Sequence, residues 1–579
     1  MRFCAIKRRR LIIGSLLIAV LFVVVEIFLD KNSEAVPGDE MSVLSFSKGS
    51  GFFEEPFELE LTADGGTIYY TLDGSIPDRN SIKYETPILI TDATLNDNTY
   101  SMRTDVSVAF DREAVERISV EEAYPGYRIP DYNIDKATVV RAALYDNSGI
   151  CRDMQTATYF VGFSDKEGYD GMSMLSIVTD PLNLFDYEKG IYVTGKDYAD
   201  YVGEYRDKEI YIFREAYWSQ WLANYKNRGM KWERKGVCQF FDSSGKFVLE
   251  QECGIRIHGT STRAYNPKSL NLYARKEYDG NKIFGADFFG TGYLPQTITL
   301  FQGGNDVRTK VKDYLVSNAV KDMAIASLNY RPCVMFLNGE YWGVYWLSEK
   351  YDACYLEHYY GVNKDNVIMI KAGGLAEGEK EDYKYYGKML EFCSESDLTE
   401  AANYDKVCQM IDMESYIDYM AIMLYTARII DWPSENYACW RVKKEEEGVY
   451  GDGKWRWMIF DLNSYGFYPE LDSVDWAMSN DVMFKNLMSN DMFRQQLINR
   501  IKELSDTVFE AEAMDKELDE YQAFMSEAMR ENDRRFYNDD SLETFNAEIE
   551  ELKDFFYKRK TYLFPVLDMY ENLNLSSPE

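Results

Sequence analysis

The hydrophobic pattern of this chain changes character from one stretch to the next. From Leu11 to Leu29 the sequence LIIGSLLIAVLFVVVEIFL is almost continuously apolar, with Glu26 its one charged residue. As a helix, nineteen such residues reach roughly 28 Å, about one hydrocarbon thickness. Lys7-Arg8-Arg9-Arg10 precede the run, and a basic flank of this kind stays on the cytoplasmic side. The pattern predicts a basic cytoplasmic segment over 1–10 and a transmembrane anchor over 11–29. The remaining chain is then extracytoplasmic, on a membrane-bound single-pass protein. A cleaved signal peptide is the alternative, with small residues at Ser33-Glu34-Ala35.

After a polar linker over 30–45, a period of two takes over. Phe57-Glu58-Leu59-Glu60-Leu61 alternates, and Thr67-Ile68-Tyr69-Tyr70-Thr71 runs into the turn Asp73-Gly74-Ser75-Ile76-Pro77. Pro87–Ile90 and Thr138–Tyr145 supply further strands, with 98–135 as an insertion. Short strands between turn signals predict a small all-β sandwich over 46–160. Asp73 and Ser75 read as turn formers. A linker over 161–170 follows.

From Met172 to about residue 300 strand patterns dominate, interrupted by an aromatic-rich helical insertion over 196–233. Asp306–Met323 reads as a helix. Val334–Leu347 reads as a hairpin, turning at Asn338-Gly339, the strongest short hairpin signal. Residues 471–579 read as mostly helical. Together these give an α+β chain in which the second half is a separate, larger domain.

Composition narrows the function. The 579 residues are 46% hydrophobic and 15% aromatic, ample for packed cores. A net charge of -33 repels phosphodiester backbones, so nucleic acid is set aside as a partner. Nine cysteines without C-x-x-C spacing and only two histidines, His258 and His358, argue against a zinc centre or a histidine triad. The cysteines lie in apolar segments and read as buried thiols.

One constellation carries chemistry. The apolar helix pattern Ser415–Ile430 leads into Asp431-Trp432-Pro433-Ser434-Glu435-Asn436. A strand over Tyr437–Val442, a turn around Gly451-Asp452-Gly453 and a strand over Trp455–Phe460 then end in Asp461-Leu462-Asn463. Helix, Asp-x4-Asn loop, hairpin and Asp is the order of a protein-kinase catalytic loop and metal-binding turn. A hydroxyl attacking phosphorus needs a carboxylate to take its proton, which Asp431 would supply. An amide oxygen five residues on and a second carboxylate, Asn436 and Asp461, could hold a divalent cation bridging the phosphates. Two carboxylates 6 Å apart repel by roughly 3 kcal/mol at an effective dielectric near 20; Mg2+ or Mn2+ reverses that sign. Either aspartate alone could be a turn residue; their order together carries the reading.

Upstream, the strand Cys253–Ile257 enters the small polar loop His258-Gly259-Thr260-Ser261-Thr262-Arg263, and Lys268 opens the next strand. Loop amides can face phosphates, and a lysine there could reach them. By itself the loop is equally a plain turn.

GIRIHGTSTRAYNPKSLNLYAR, FLNGEYWGVYWLSEKYD, DWPSENY and WRWMIFDLN together resemble the CotH family of spore-coat-type atypical protein kinases, over residues 171–470. The sandwich resembles the chitobiase/β-hexosaminidase C-terminal-type module, through IYYTLDGSIP, VVRAALYDNSG and Tyr159. The resemblance implies an atypical protein-kinase-like two-lobed domain, with 471–579 as its helical continuation. It implies ATP and Mg2+ or Mn2+ as cofactors and Ser/Thr hydroxyls of a surface or coat protein as acceptors. Carried over by position, Asp431 is the catalytic-loop acid and Lys268 contacts the phosphates. Gly259, Ser261 and Arg263 lie over the phosphates, Asn436 and Asp461 bind metal, and Glu349 falls at the hinge. Departures accompany it. Asn463 stands where the family commonly has Asp, Ile429-Ile430 replace the His-Arg of most kinases, and the 306–323 helix offers Asp313 in place of a glutamate. Arg308 either serves the phosphates or pairs with an acid. The rival readings are a catalytically inactive scaffold or adhesin whose β-module binds wall glycan, and a carbohydrate-active enzyme, for which no carboxylate pair stands out.

Overall fold

The computed structural model describes residues 43–118, 126–164, 166–206, 217–464 and 466–572. The anchor expected over 11–29 and its basic flank lie outside these residues. Among the described residues no helix is long and apolar enough to cross a membrane.

The N-terminal module is all-β, as the alternation implied. Its largest sheet runs Gly51–Phe53, Cys151–Val161, Thr138–Tyr145, Thr67–Thr71, Ile82–Lys83, and two short pairs, Leu44–Phe46 with Leu61–Ala63 and Phe57–Leu59 with Ile88–Ile90, complete it. Leu59, Ile68, Ile90, Val140, Leu144 and Tyr159 fill its core. Asp73 accepts from the Ser75 amide at 2.9 Å and its hydroxyl at 2.6 Å, so both residues form the turn.

The stretch expected to be a linker over 161–170 is instead packed. Phe160 stacks on Phe52 at 4.7 Å and meets Phe241 and Phe336 edge-on at 5.4 and 5.0 Å, while Phe163 lies 5.7 Å from Phe336. Each fully buried phenylalanine contributes about 1.5–3 kcal/mol over leaving it exposed, so apolar burial wins over the polar look of the segment. The 98–135 insertion docks on the same domain: Glu340 accepts from the Thr99 and Ser101 amides, the latter at 2.7 Å. The module is thus fixed to the larger domain.

That domain opens with a closed seven-stranded barrel: β1 (Ser173–Val178), β2 (Arg234–Phe241), β3 (Phe247–Ile257), β4 (Leu270–Tyr273), β5 (Thr297–Phe301), β6 (Tyr330–Leu337) and β7 (Glu340–Ser348). The order is β1-β2-β3-β4-β5-β7-β6, and β6 closes it parallel to β1. Alternate residues of a strand face opposite ways, and here both faces are covered. Val334 and Phe336 join the core shared with the helices, while Cys333, Met335 and Leu337 fill the other side. Asn338 and Gly339 have φ of 48° and 88°, the pair of positive values a tight two-residue hairpin requires.

The expected helix over 306–323 is shorter, α1 (Lys312–Ala319). Asp306 ends the loop before it, accepting from the Lys312 amide at 2.9 Å and the Thr309 hydroxyl. Beyond β7, a four-stranded sheet takes the order β9-β8-β10-β11, from β8 (Val367–Lys371), β9 (Gly374–Glu377), β10 (Ala438–Val442) and β11 (Arg456–Met458). Against it lie α2 (Tyr383–Glu395) and the fully buried α3 (Met413–Tyr425), and the tail includes α4 (Val482–Met488), α5 (Ala511–Tyr537) and α6 (Glu543–Asn572). All eight cysteines among the described residues are free thiols.

Candidate active site

Helix α3 stops at Tyr425 because the chain then turns through left-handed positions, Ala427 at φ 56° and Ile430 at φ 67°. This aims the following loop back over the end of β11. Trp432 anchors the loop: it is fully buried, its indole donates to the Tyr419 hydroxyl at 2.9 Å, and its carbonyl accepts from Trp476 at 2.6 Å. Asp431 closes the loop on itself, its carbonyl accepting from the Glu435 and Asn436 amides at 3.0 Å.

Three residues predicted from the sequence therefore meet. Asn436 donates its amide to Asp431 Oδ2 at 3.0 Å and to the Asp461 carbonyl at 3.4 Å. Asp461 itself has φ 59°, a region that aspartate tolerates when its short side chain is held locally; Asn463 does so, donating to Asp461 Oδ1 at 2.7 Å. Burial pushes the Asp431 carboxyl above its ordinary range, opposed by Arg428 and by the Ser464 hydroxyl.

Arg428 and Ser464 complete the site and were missed in the sequence. Arg428 is fully buried and donates to the carbonyls of Leu462 and Ser464, each at 3.0 Å, to the Ser464 hydroxyl at 2.8 Å and to Asp431 Oδ1 at 3.4 Å. Ser464 donates to Asp431 Oδ2. A cation three residues before the loop acid and a hydroxyl just after the DLN turn were the available signals.

Asp313, the acid noted in the expected helix, comes to the same turn. It accepts from the Leu462 amide and the Asn463 side chain, both at 2.7 Å. Burial, then the charge of Asp461, pushes its carboxyl up to about 7. It does not pair with Lys268.

The phosphate-facing roles assigned to Lys268 and Arg263 need correction. Lys268 is fully buried, donating to the carbonyls of Arg263 at 2.7 Å and Tyr265 at 3.2 Å, with its ammonium 3.8 Å from the Tyr225 ring. Arg263 is likewise buried, on the carbonyls of Gly259, Tyr225, Asn227 and Ile257. Both cations brace the loop from inside. Glu349 is also turned inward: buried, it accepts from the Asn329 amide at 2.9 Å and from the Tyr359 hydroxyl, so its carboxylate is not offered to a ligand. Arg308 pairs with acids, Asp533 at 3.1 Å and Asp539 at 3.4 Å.

The loop itself keeps its shape. Gly259 has φ 99°, and a Cβ there would fall 2.3 Å from the Thr262 hydroxyl. Ser261 begins a short 3-10 turn, its carbonyl accepting from Lys226 at 3.2 Å. Among the described residues nothing accepts from the Gly259 and Thr260 amides, which leaves them for an anion.

The free cation sits elsewhere. Lys371, at the end of β8, places its ammonium 3.9 Å from the Phe460 ring, next to Asp461. It makes no ion pair among the described residues. Burial lowers it to about 8, with Asp461 acting in the opposite sense. His258 is pushed down to about 3 by burial and then by Lys371, Lys350, Arg263 and Arg228. A carboxylate-poor cationic zone thus faces the acidic turn, in a protein whose overall charge is -33.

A divalent cation fits this arrangement. Among the described residues no group of three acidic, histidine or cysteine side chains forms an all-protein cage. Asp461 offers one carboxylate oxygen beyond that bound by Asn463, and Asn436 its amide oxygen. Mg2+ characteristically takes one or two carboxylates and completes its shell with phosphate oxygens and water.

Compared with known families, residues 255–563 match the model of the CotH kinase protein and residues 57–159 that of Fn3 associated. The first match spans more than half of the chain, so the chain belongs to the CotH kinase protein family. The β-module is identified as Fn3 associated rather than by the chitobiase-type name its sequence suggested. No curated protein matches the chain.

Proposed function

We propose that this chain is an ATP-dependent protein kinase that phosphorylates Ser or Thr hydroxyls of surface or coat proteins, its own chain included, from an extracytoplasmic, membrane-anchored position. The observation that carries this reading is the convergence of Asp431, Asn436 and Asp461, which come from two elements and are tied by Arg428.

Asp431 takes the proton as the hydroxyl oxygen attacks the γ-phosphorus. The bond to the β–γ bridging oxygen breaks and ADP leaves. Burial strengthens Asp431 as a base, while Arg428 and Ser464 hold its orientation. Asp461 and Asn436 would hold Mg2+ or Mn2+, which supplies charge neutralisation on the phosphates. Lys371, Lys350 and the Gly259–Thr260 amides face the remaining phosphate charge.

A non-catalytic scaffold is the second reading, favoured by the inward commitment of Lys268 and Arg263 and by Asn463. Labelled ATP with Mn2+ or Mg2+ separates the two. Incorporation is expected in the wild type and lost in Asp431→Asn and Asp461→Asn, and Asp461→Asn also loses the cation-dependent thermal shift with nucleotide. No incorporation and no shift in the wild type leaves the scaffold.

A further inference from the structure

Next to the catalytic loop lies a cavity of about 250 Å3. Tyr386, Tyr416, Tyr419, Trp432 and Trp457 line it, together with Asp481, the single charged side chain in its wall. The aromatic rings are held in place: Trp457 meets the Tyr416 ring edge-on at 4.6 Å, and the Tyr386 hydroxyl is paired with that of Tyr437 at 2.8 Å. Two polar groups are left over. The Tyr416 hydroxyl is buried and has no partner among the described residues. Asp481 accepts from the Phe484 amide at 3.0 Å as the cap of α4, but no Lys or Arg pairs with it among the described residues.

A buried carboxylate without a counter-ion, surrounded by ring faces, has a definite complement. An apolar ligand would leave Asp481 and the Tyr416 hydroxyl unsatisfied, and an anion would meet the carboxylate. An ammonium or guanidinium satisfies both and gains from the negative ring faces. Position says where it comes from. Ser434, on the cavity wall, is three residues from Asp431, and three extended residues span at most about 10 Å. A side chain a few positions from the reacting hydroxyl reaches the cavity, and the charge of -33 attracts basic polypeptides.

We infer that this cavity binds a Lys or Arg side chain of the acceptor polypeptide, close to the residue that is phosphorylated. The inference rests on the kinase reading for its acceptor, but the cavity can be tested without ATP. The intact protein is titrated, by its tryptophan fluorescence, with a blocked Ser- and Lys-containing peptide, its norleucine counterpart, and n-butylammonium.

The lysine peptide should bind about tenfold or more tightly than the norleucine one, the scale of a charge-assisted contact. Asp481→Asn should erase that ratio. Asparagine caps a helix as well as aspartate does, so α4 is retained, and Tyr416→Phe, which should reduce the ratio more modestly, covers the case in which it is not. In phosphoryl transfer the KM ratio of the two peptides should collapse in the same variants. Equal binding of both peptides, an unchanged ratio in both variants, or butylammonium binding as tightly as the lysine peptide overturns the assignment. If the binding ratio holds while no phosphate is incorporated, the kinase reading fails and the cationic site stands.

Discussion

Asn463 donates its side-chain amide to Oδ2 of Asp313 at 2.7 Å, joining the turn after β11 to the first turn of α1 across 150 residues of sequence. The same amide also serves Asp461, so one neutral donor separates two carboxylates. Asn463→Asp would replace it with a third carboxylate. Thermal unfolding without divalent cation should show a loss of roughly 2 kcal/mol or more, the cost of unsatisfied buried acceptors. Mn2+ should restore more stability to the variant than to the wild type. A variant as stable as the wild type in EDTA would mean that the amide does not hold these acids apart.

Lys268 and Lys371 exchange the roles their sequence positions suggest. Lys371→Met should weaken ATP binding at least about tenfold, the loss of one charge-assisted contact. Lys268→Met should leave nucleotide affinity within about twofold and act instead on stability, because its partners are two loop carbonyls. Calorimetric titration beside thermal melts reads both. The reverse pattern would return Lys268 to the phosphates.

Arg428 touches both halves of the candidate site at once. Lysine cannot reproduce this planar fork. Arg428→Lys should cost on the order of 3 kcal/mol, since it leaves buried acceptors and Asp431 uncompensated. Phosphoryl transfer should fall with it even at temperatures where the variant stays folded. Unchanged transfer would show that the loop and the turn hold their relation without this residue.

Much of the frame was legible in sequence because local chemistry fixed it. Asn338-Gly339 demanded its hairpin, and Asp431, Asn436 and Asp461 met because helix, loop and hairpin follow one another in the chain. The phosphate side was misread because burial is a tertiary property. Nothing local to Lys268 tells that Tyr225 and the carbonyls of Arg263 and Tyr265 will enclose it. Nor does the sequence around Lys371 say that β8 will end beside Phe460. The 161–170 segment was misjudged for a related reason: its neighbours Phe241 and Phe336 lie far along the chain.

Glu349 links this site to pH. Burial pushes its carboxyl from an ordinary 4.5 up to about 7, although Tyr359 and Asn329 favour the ionised form. The folded protein therefore holds a proton that the unfolded chain gives up above 4.5. The stabilisation is fully present below pH 4.5 and is lost as pH rises through 7. Over that window the linkage amounts to on the order of 3 kcal/mol. Glu349→Gln, which cannot ionise, should remove this component. The wild type should thus lose stability relative to the variant on going from pH 5 to pH 7.5, whatever their offset at pH 5. Parallel stability curves for the two proteins across that range would show that Glu349 is already ionised in the fold.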